Sequence, residues 1–218
     1  GHDHSGNHIL TGGDALELCY NVMNSDYYYE TIVGNRTSYT YEKDHTVLCE
    51  FYKMTMGKGR VIQNKKTSLV EPVGSAENSV RIDDKLYYVG NTNAETLLGY
   101  EVDFWYDGDM NLKHITPAVT NRVMTISAKN LDESTTREVI YYIKNNRLTS
   151  VRINQVDAIY NGVAKYDYQA ADLLINAGNL TLLDADGNGS YDVIFINEYE
   201  PVVVRSVDGE NQRVVDSV

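Results

Sequence analysis

Apolar and polar residues alternate over short stretches along most of this chain. Clear examples are Ser79 to Asp83, Tyr100 to Tyr106 and Arg147 to Ile153. A period of two is that of a β-strand with one buried face, and turn residues separate these stretches roughly every ten residues. The pattern predicts a mainly β fold of the α+β class, built from short-stranded antiparallel sheets or small barrels.

One segment near the N-terminus has the spacing of a helix instead. Between Thr11 and Asn24, apolar residues recur at steps of three and four, which is the period of an amphipathic helix. Thr11 and Asp14 also match the capping box that begins many helices. The sequence therefore predicts one N-terminal helix, whose apolar stripe we expect to pack on the domain that follows it.

Turn residues locate several further elements. Asp83-Asp84 and Asn145-Asn146 each separate two predicted strands, and Asn tolerates the positive φ that a two-residue hairpin needs. Gly57-Lys58-Gly59 is interpreted as a turn. Thr46 to Lys53 is interpreted as a strand, because its apolar residues at 47, 49 and 51 would share one face.

Pro117 marks a seam between two groups of predicted strands. The expected organisation is a flexible leader over residues 1–10, the helix and a first β subdomain over 11–116, a second β subdomain over 117–207, and a polar tail over 208–218. The two subdomains would meet near residues 116–121.

Composition narrows the classes of function. Of the 218 residues, 42% are hydrophobic and 23% are charged, which is the balance of a folded globular protein. The net charge of −12 opposes binding to nucleic acid or anionic lipid, and it favours recruitment of divalent cations. No apolar run approaches the roughly 20 residues that cross a bilayer. Because the chain begins with Gly1 and a polar string, we expect an export signal or other domains to precede it.

Tyrosine is the dominant aromatic residue, with 18 copies against 3 Phe and 1 Trp. Tyrosine is typical of half-buried strands, whose rings pack inward while their hydroxyls reach water. Exposed tyrosines can also form a surface on which sugars stack. The sequence leaves both interpretations open.

Two other residue types leave questions open. Cys19 and Cys49 either form a disulfide or are two buried thiols among apolar neighbours. His2, His4 and His8 are possible ligands for a transition metal, but a flexible leader would lose conformational entropy on binding one. No metal site is assigned to them.

The stretch from Leu182 to Ile196 carries the most specific chemistry, because an acidic, glycine-punctuated loop lies there between two apolar runs. Side-chain oxygens recur at near-alternating positions, and Gly187 and Gly189 let the backbone curl so that these oxygens converge. The pattern predicts a calcium site on a β-hairpin. The proposed ligands are Asp184, Asp186, Asn188, Ser190 through its carbonyl, and Asp192.

Counted from Asp184, the loop follows the EF-hand order except at position twelve, where Phe195 replaces the bidentate glutamate. The site would then be completed by water or by an acid from elsewhere in the chain. Its affinity would be weak, with a dissociation constant on the order of 10⁻⁴ to 10⁻³ M, as in extracellular modules. Asp-Gly and Asn-Gly are also common turn pairs, so the segment could simply reverse the chain.

Several short segments occur in a recognisable order: Gly59-Arg-Val61, Thr67-Ser-Leu69, Val80-Arg-Ile-Asp83, Leu86-Tyr87, Leu97-Leu-Gly-Tyr-Glu-Val102, Ile159-Tyr-Asn-Gly162 and the acidic loop. In this order they resemble the β-rich region that follows the S-layer homology domains in surface proteins of Gram-positive bacteria. The resemblance covers most of residues 11 to 205 and is built from short, degenerate pieces. The resemblance implies an exported, cell-wall-associated protein whose partners are other envelope or cell-wall components, including polysaccharide.

The chain departs from that family in one respect. Family members attach to wall polysaccharide through three complete S-layer homology repeats, and Asp14 to Asn24 matches at most the closing helix of one repeat. No wall-anchoring residue is therefore assigned.

The sequence also lacks the local signatures of common enzymes. It has no Gly-x-Ser-x-Gly elbow, no His-Glu-x-x-His pair and no phosphate-binding glycine loop, and His45 and His114 are isolated. We expect a non-catalytic structural module with no catalytic residues. The alternatives are a carbohydrate-binding or adhesive module that uses tyrosines and Trp105, and a glycan-acting hydrolase that uses two carboxylates. Phe104 and Trp105 fall on opposite faces of their strand, so one of them could lie at the surface.

Overall fold

The computed structural model describes residues 11–200, 204–208 and 213–216. The mainly β fold is confirmed, as several small antiparallel sheets without a closed barrel. The helices in the described residues are α1 (Gly12–Met23), α2 (Val47–Tyr52) and α3 (Ala170–Leu173). The strands are β1 (Asp26–Val33), β2 (Arg36–Thr46), β3 (Thr55–Gln63), β4 (Ser79–Ile82), β5 (Lys85–Tyr88), β6 (Glu101–Tyr106), β7 (Leu112–Pro117), β8 (Arg122–Ser127), β9 (Val139–Lys144), β10 (Arg147–Arg152), β11 (Asp157–Tyr160), β12 (Val163–Ala164), β13 (Gly178–Asp184), β14 (Val193–Glu198), β15 (Val204–Asp208) and β16 (Arg213–Asp216).

Two five-stranded sheets dominate the architecture. The first sheet has the order β5-β4-β3-β6-β7 and is antiparallel throughout. The second has the order β12-β11-β14-β13-β8, in which only β11 and β14 run parallel. Three separate hairpins, β1–β2, β9–β10 and β15–β16, complete the described strands.

Each sheet buries its own hydrophobic core. Val61, Val80 and Phe104 belong to the core of the first sheet, and Ile126, Leu180 and Ile194 belong to that of the second. A third group of buried residues joins the two sheets. This junction cluster consists of Leu98, Ile159, Leu183, Ala185 and Val193.

Polar contacts reinforce the junction between the sheets. The Arg60 guanidinium on β3 lies 3.0 Å from a carboxylate oxygen of Asp157 on β11, and its Nε donates to the Gly99 carbonyl. The Tyr166 hydroxyl donates to the Ser68 carbonyl at 2.6 Å. These contacts fix the position of the acidic loop relative to the first sheet, because β13 and β14 belong to the second.

The predicted N-terminal helix is confirmed as α1, together with its capping box. The Thr11 side chain accepts from the Asp14 backbone, and the Asp14 carboxylate accepts from the Thr11 backbone. The expected packing of its apolar stripe is largely wrong, since no residue of α1 is buried and Leu16 is 73% exposed. Only the C-terminal part of the helix reaches the first sheet, where Tyr20 contacts Trp105.

The strand expected over Thr46 to Lys53 is wrong, because residues 47–52 form α2. The Thr46 hydroxyl accepts from the Cys49 backbone and so caps this helix, and Lys53 ends it with a left-handed φ of 53°. Apolar residues at 47, 49 and 51 would share one face of a strand, whereas those at 47, 48 and 51 share one face of a helix. The Thr46 cap decides between the two.

The turn expected at Gly57-Lys58-Gly59 is also wrong, since these residues lie inside β3 and pair with β6. A Cβ on Gly57 would come within 2.4 Å of the Phe104 ring, and one on Gly59 within 2.2 Å of the Asp83 carboxylate. Glycine is needed here for close approach rather than for chain reversal.

The two predicted hairpin turns are confirmed. β4–β5 and β9–β10 are hairpins, and Asn145 and Asn146 adopt φ values of 51° and 58°.

Cys19 is exposed and Cys49 is half-buried, both as free thiols, so the interpretation as two buried thiols is wrong. None of the described helices has the length and hydropathy of a membrane-crossing segment.

The strands change from the first sheet to the second between Pro117 and Arg122. The division into two subdomains at that point stays a prediction. The leader, with His2, His4 and His8, lies outside the described residues, whereas part of the expected tail forms β16.

We expect Gly57→Ala to lower the free energy of unfolding by about 1 to 3 kcal/mol, because the added methyl group overlaps the buried Phe104 ring. Urea unfolding followed by fluorescence measures this change. Gly108→Ala is the matched control, since nothing lies within 4 Å of its added methyl group, and it should change stability by less than about 0.5 kcal/mol. Equal effects of the two substitutions would contradict the packing described for β3 and β6.

Candidate metal centre

The acidic loop, residues 184–192, connects β13 to β14 as predicted. Gly187 and Gly189 have φ values of 76° and 92°. Glycine adopts such positive φ values readily, so the backbone turns at these two positions as predicted. Leu183 pairs with Val193 at the base of the hairpin, and both side chains belong to the junction cluster. The loop is thereby held at the junction of the two sheets.

Three of the predicted ligands converge. Asp184, Asp186 and Asp192 each offer a carboxylate oxygen, and these three oxygens lie within 4.8 Å of one another. Asp184 is buried, Asp192 is half-buried and Asp186 is exposed. At such a separation, two carboxylates repel by about 1 to 3 kcal/mol, depending on how well water screens them. A bound cation would remove this repulsion.

Backbone amides already satisfy part of the charge on these carboxylates. The two oxygens of Asp184 accept from Gly187 and Gly189 at 2.8 and 3.0 Å. One oxygen of Asp192 accepts from the Ala185 amide at 2.7 Å. A carboxylate oxygen has two lone pairs, so these bonds leave capacity for a cation. The same bonds would also order the loop as a simple turn.

The two remaining predicted ligands contribute less directly. The Asn188 side chain donates to Asp186 at 2.8 Å, and its oxygen accepts from the Ser190 amide at 2.7 Å. Asn188 therefore shapes the loop around Asp186. Ser190 is exposed, and its proposed role through the backbone carbonyl stays a prediction.

The structure adds a fourth carboxylate that the sequence did not single out. Glu101, on β6 of the first sheet, is half-buried. Burial raises the pKa of its carboxyl, and the charges of Asp83, Asp186 and Asp192 raise that pKa further, whereas Arg60 lowers it. The Glu101 carboxyl therefore lies within electrostatic reach of the loop.

Asp157 is affected in the same way, although it pairs with Arg60. Burial raises the pKa of the Asp157 carboxyl, Arg60 opposes that rise, and Asp192 adds to it. Glu101 and Asp157 belong to different sheets, so the charge of Asp192 acts on a carboxyl of each sheet.

The link between the two sheets also touches the loop. Asn121 fixes this link to β6, because its side chain donates to the Glu101 carbonyl at 2.7 Å and accepts from the Glu101 amide. The Thr120 carbonyl oxygen would lie 3.0 Å from a Cβ on Gly187, so the loop backbone passes close to it. Nothing in the sequence marks Thr120 or Glu101 as neighbours of the loop, because their proximity depends on how the sheets pack.

The three carboxylates are ligands of the type that a hard cation prefers, but they are fewer than such a cation needs. Calcium takes about six to eight oxygen ligands, and carboxylates are its usual charged ligands. Asp184, Asp186 and Asp192 would hold the ion, and Glu101 is a further acid whose pKa is raised by the charges of Asp186 and Asp192. Phe195 at the twelfth loop position packs against the junction cluster and offers no oxygen from its side chain.

The tyrosines of the N-terminal hairpin are the second feature with functional potential. Tyr28 and Tyr41 are paired across β1 and β2, with ring centroids 5.3 Å apart, and both rings are more than half exposed. Tyr39 is exposed as well. In contrast, Phe104 and Trp105 are both buried, so neither is a surface platform.

We expect Glu101→Gln to stabilise the protein more at about pH 7 than at about pH 4 when divalent cations are absent. The pKa of Glu101 is raised in the folded state, so the stability that the protonated carboxyl supports is lost as pH rises through that pKa. Glutamine does not ionise and avoids this loss. Urea unfolding at both pH values provides the comparison.

Glu77→Gln is the control, because it removes a carboxyl at an exposed turn position, and it should change stability by less than about 0.5 kcal/mol. A Glu101→Gln effect of the same size at both pH values would contradict the raised pKa of Glu101.

No protein-family model, curated protein or solved structure gives a match to this chain.

Proposed function

We propose that this chain is a non-catalytic structural module of an exported bacterial cell-surface protein, and that calcium in the acidic loop stabilises it. The observation that carries the proposal is the convergence of Asp184, Asp186 and Asp192 at the junction of the two sheets. An ion bound there would neutralise repulsion and hold the β13–β14 hairpin against its surroundings.

The location at the cell surface rests on different support. Short segments occur along the chain in the same order as in Gram-positive surface proteins that carry S-layer homology domains, and this resemblance points to the cell envelope. The partners there would be other wall components. The net charge of −12 suits an environment with millimolar divalent cations. A weak site of the type found in extracellular modules would be occupied in such an environment.

Calcium titration tests the proposal. With a dissociation constant on the order of 10⁻⁴ to 10⁻³ M, about 10 mM calcium should stabilise the chain by about 1.4 to 2.7 kcal/mol. For a chain of this size, that corresponds to a rise of roughly 3 to 10 °C in Tm. Calorimetric titration and thermal unfolding measure the binding and the stabilisation independently.

The double substitution Asp186→Asn and Asp192→Asn should abolish the calcium-dependent rise in Tm, because it removes two of the three converging charges. Asp109→Asn is the control, since Asp109 lies in the exposed turn between β6 and β7. Absence of both heat and a shift in Tm with the unmodified chain would remove calcium from the proposal. A shift that survives the double substitution would place the ion elsewhere.

A carbohydrate-binding or adhesive module is the second candidate, favoured by the exposed Tyr28–Tyr41 pair. Aromatic rings on an exposed hairpin can stack on the apolar faces of sugars. This function would be exercised by the N-terminal hairpin and not by the acidic loop.

We expect the double substitution Tyr28→Ser and Tyr41→Ser to reduce retention on cell-wall polysaccharide by at least roughly tenfold if this second function operates. Co-sedimentation with purified polysaccharide measures retention. Tyr88→Ser, an exposed tyrosine on the first sheet, is the control. Equal retention of all three proteins would leave the structural role as the better account.

A further inference from the structure

A groove of about 450 Å³ lies where the N-terminal helices meet the outer face of the first sheet. Its apolar walls include Met23 of α1, Leu48 of α2 and Met54 from the segment before β3. Trp105 of β6 forms part of the lining, on the face of the strand opposite to Phe104. The volume lies in the range of small-molecule sites, and methionine side chains adapt readily to the shape of a ligand.

Trp105, which lines this groove, carries an unsatisfied hydrogen-bond donor. Its side chain is more than nine-tenths buried, and its indole Nε1 has no hydrogen-bond partner among the described residues. Buried polar groups in folded proteins are nearly always paired, so an unpaired one calls for an acceptor from outside the chain. Tyr20 covers the indole edge-on at 6.4 Å, but Tyr20 is half exposed on a helix without a buried residue. Access of a ligand to the indole would require the Tyr20 ring to move aside, and no buried residue of α1 opposes that movement.

The charge of the groove indicates which acceptor fits best. None of its nine lining residues is acidic, although the chain as a whole carries a net charge of −12. Lys113 and His114, adjacent residues of β7, contribute its basic side chains. The Lys113 ammonium lies 2.8 Å from Asp107 and retains further N–H donors for a second acceptor. The His114 ring lies beside Trp105, with centroids 5.3 Å apart.

We propose that this Trp105 groove binds a small carboxylic acid with an apolar body. The apolar part occupies the methionine- and leucine-lined walls, and the carboxylate accepts from Trp105 Nε1 beside Lys113 and His114. The inference is independent of the calcium loop, which lies at the junction of the two sheets, so either can fail without affecting the other.

Intrinsic fluorescence is a direct test, because Trp105 is the single tryptophan of the chain. Octanoate should change its emission saturably, whereas octylamine, with the same chain length and the opposite charge, should bind at least roughly tenfold more weakly. The full chain is used, and both probes are kept below the concentrations at which they form micelles. Identical responses to the two probes would overturn the proposed role of the carboxylate.

Two neighbouring positions of α1 provide matched variants. Met23→Glu places a negative charge in the groove and should weaken octanoate binding by at least roughly tenfold. Val22→Glu adds the same charge at a half-exposed position that does not line the groove, and it should leave binding within about twofold. Equal losses in the two variants would contradict the location of the site.

Alkylation of the two free thiols gives a second readout. Cys19 lines the groove and Cys49 does not, so octanoate should slow alkylation of Cys19 selectively, as measured by peptide mass spectrometry. An alkylation rate of Cys19 that is the same with and without octanoate would overturn the proposal. Fluorescence that instead varies with protein concentration, together with a dimer in sedimentation velocity, would assign the groove to a second copy of the chain.

Discussion

Several carboxylates lie where the two sheets meet. The proposed binding of a cation by the acidic loop depends on how their negative charge is balanced. Glu101 on the first sheet and Asp157 on the second both experience the charge of Asp192 in the acidic loop. Arg60 is the basic side chain beside them, and it is engaged by Asp157 and by the Gly99 carbonyl. Burial raises the pKa values of the Glu101 and Asp157 carboxyls, and the negative charge of Asp192 raises both further. The fold therefore holds charge that a divalent cation would stabilise.

Because of this arrangement, the proposed role of the loop extends beyond reversing the chain. The junction cluster and the Arg60 contacts already join the sheets, and the link at residues 118–121 is tied to β6 through Asn121. A cation in the loop would add an electrostatic connection at the same place. A module with such a site would be stabilised by the calcium outside a cell. The proposed calcium site and the proposed role in the envelope therefore support each other.

Local chemistry made several elements predictable from sequence alone. Asn145-Asn146 specified a hairpin because few residues tolerate positive φ, and Thr11 with Asp14 specified the start of α1 because both capping bonds are local. Glycine was ambiguous, since Gly57 serves close packing against Phe104 rather than a turn. The segment after Thr46 fitted two periods equally well until its cap was known.

The candidate site was predictable only in part, for a related reason. Asp184, Asp186 and Asp192 lie within nine residues, so their convergence follows from loop geometry. Glu101 joins them only through the packing of two sheets, which no local pattern encodes. Trp105 was similarly unpredictable, because alternation placed it opposite Phe104 but did not show that α1 and α2 would cover it.

Diffraction from crystals grown with calcium, recorded for the anomalous signal of the ion, shows whether the acidic loop binds it. We expect a peak at about 2.3 to 2.6 Å from carboxylate oxygens of Asp184, Asp186 and Asp192. Carboxylates that contact only backbone amides and water, with no anomalous peak among them, would contradict calcium binding by this loop.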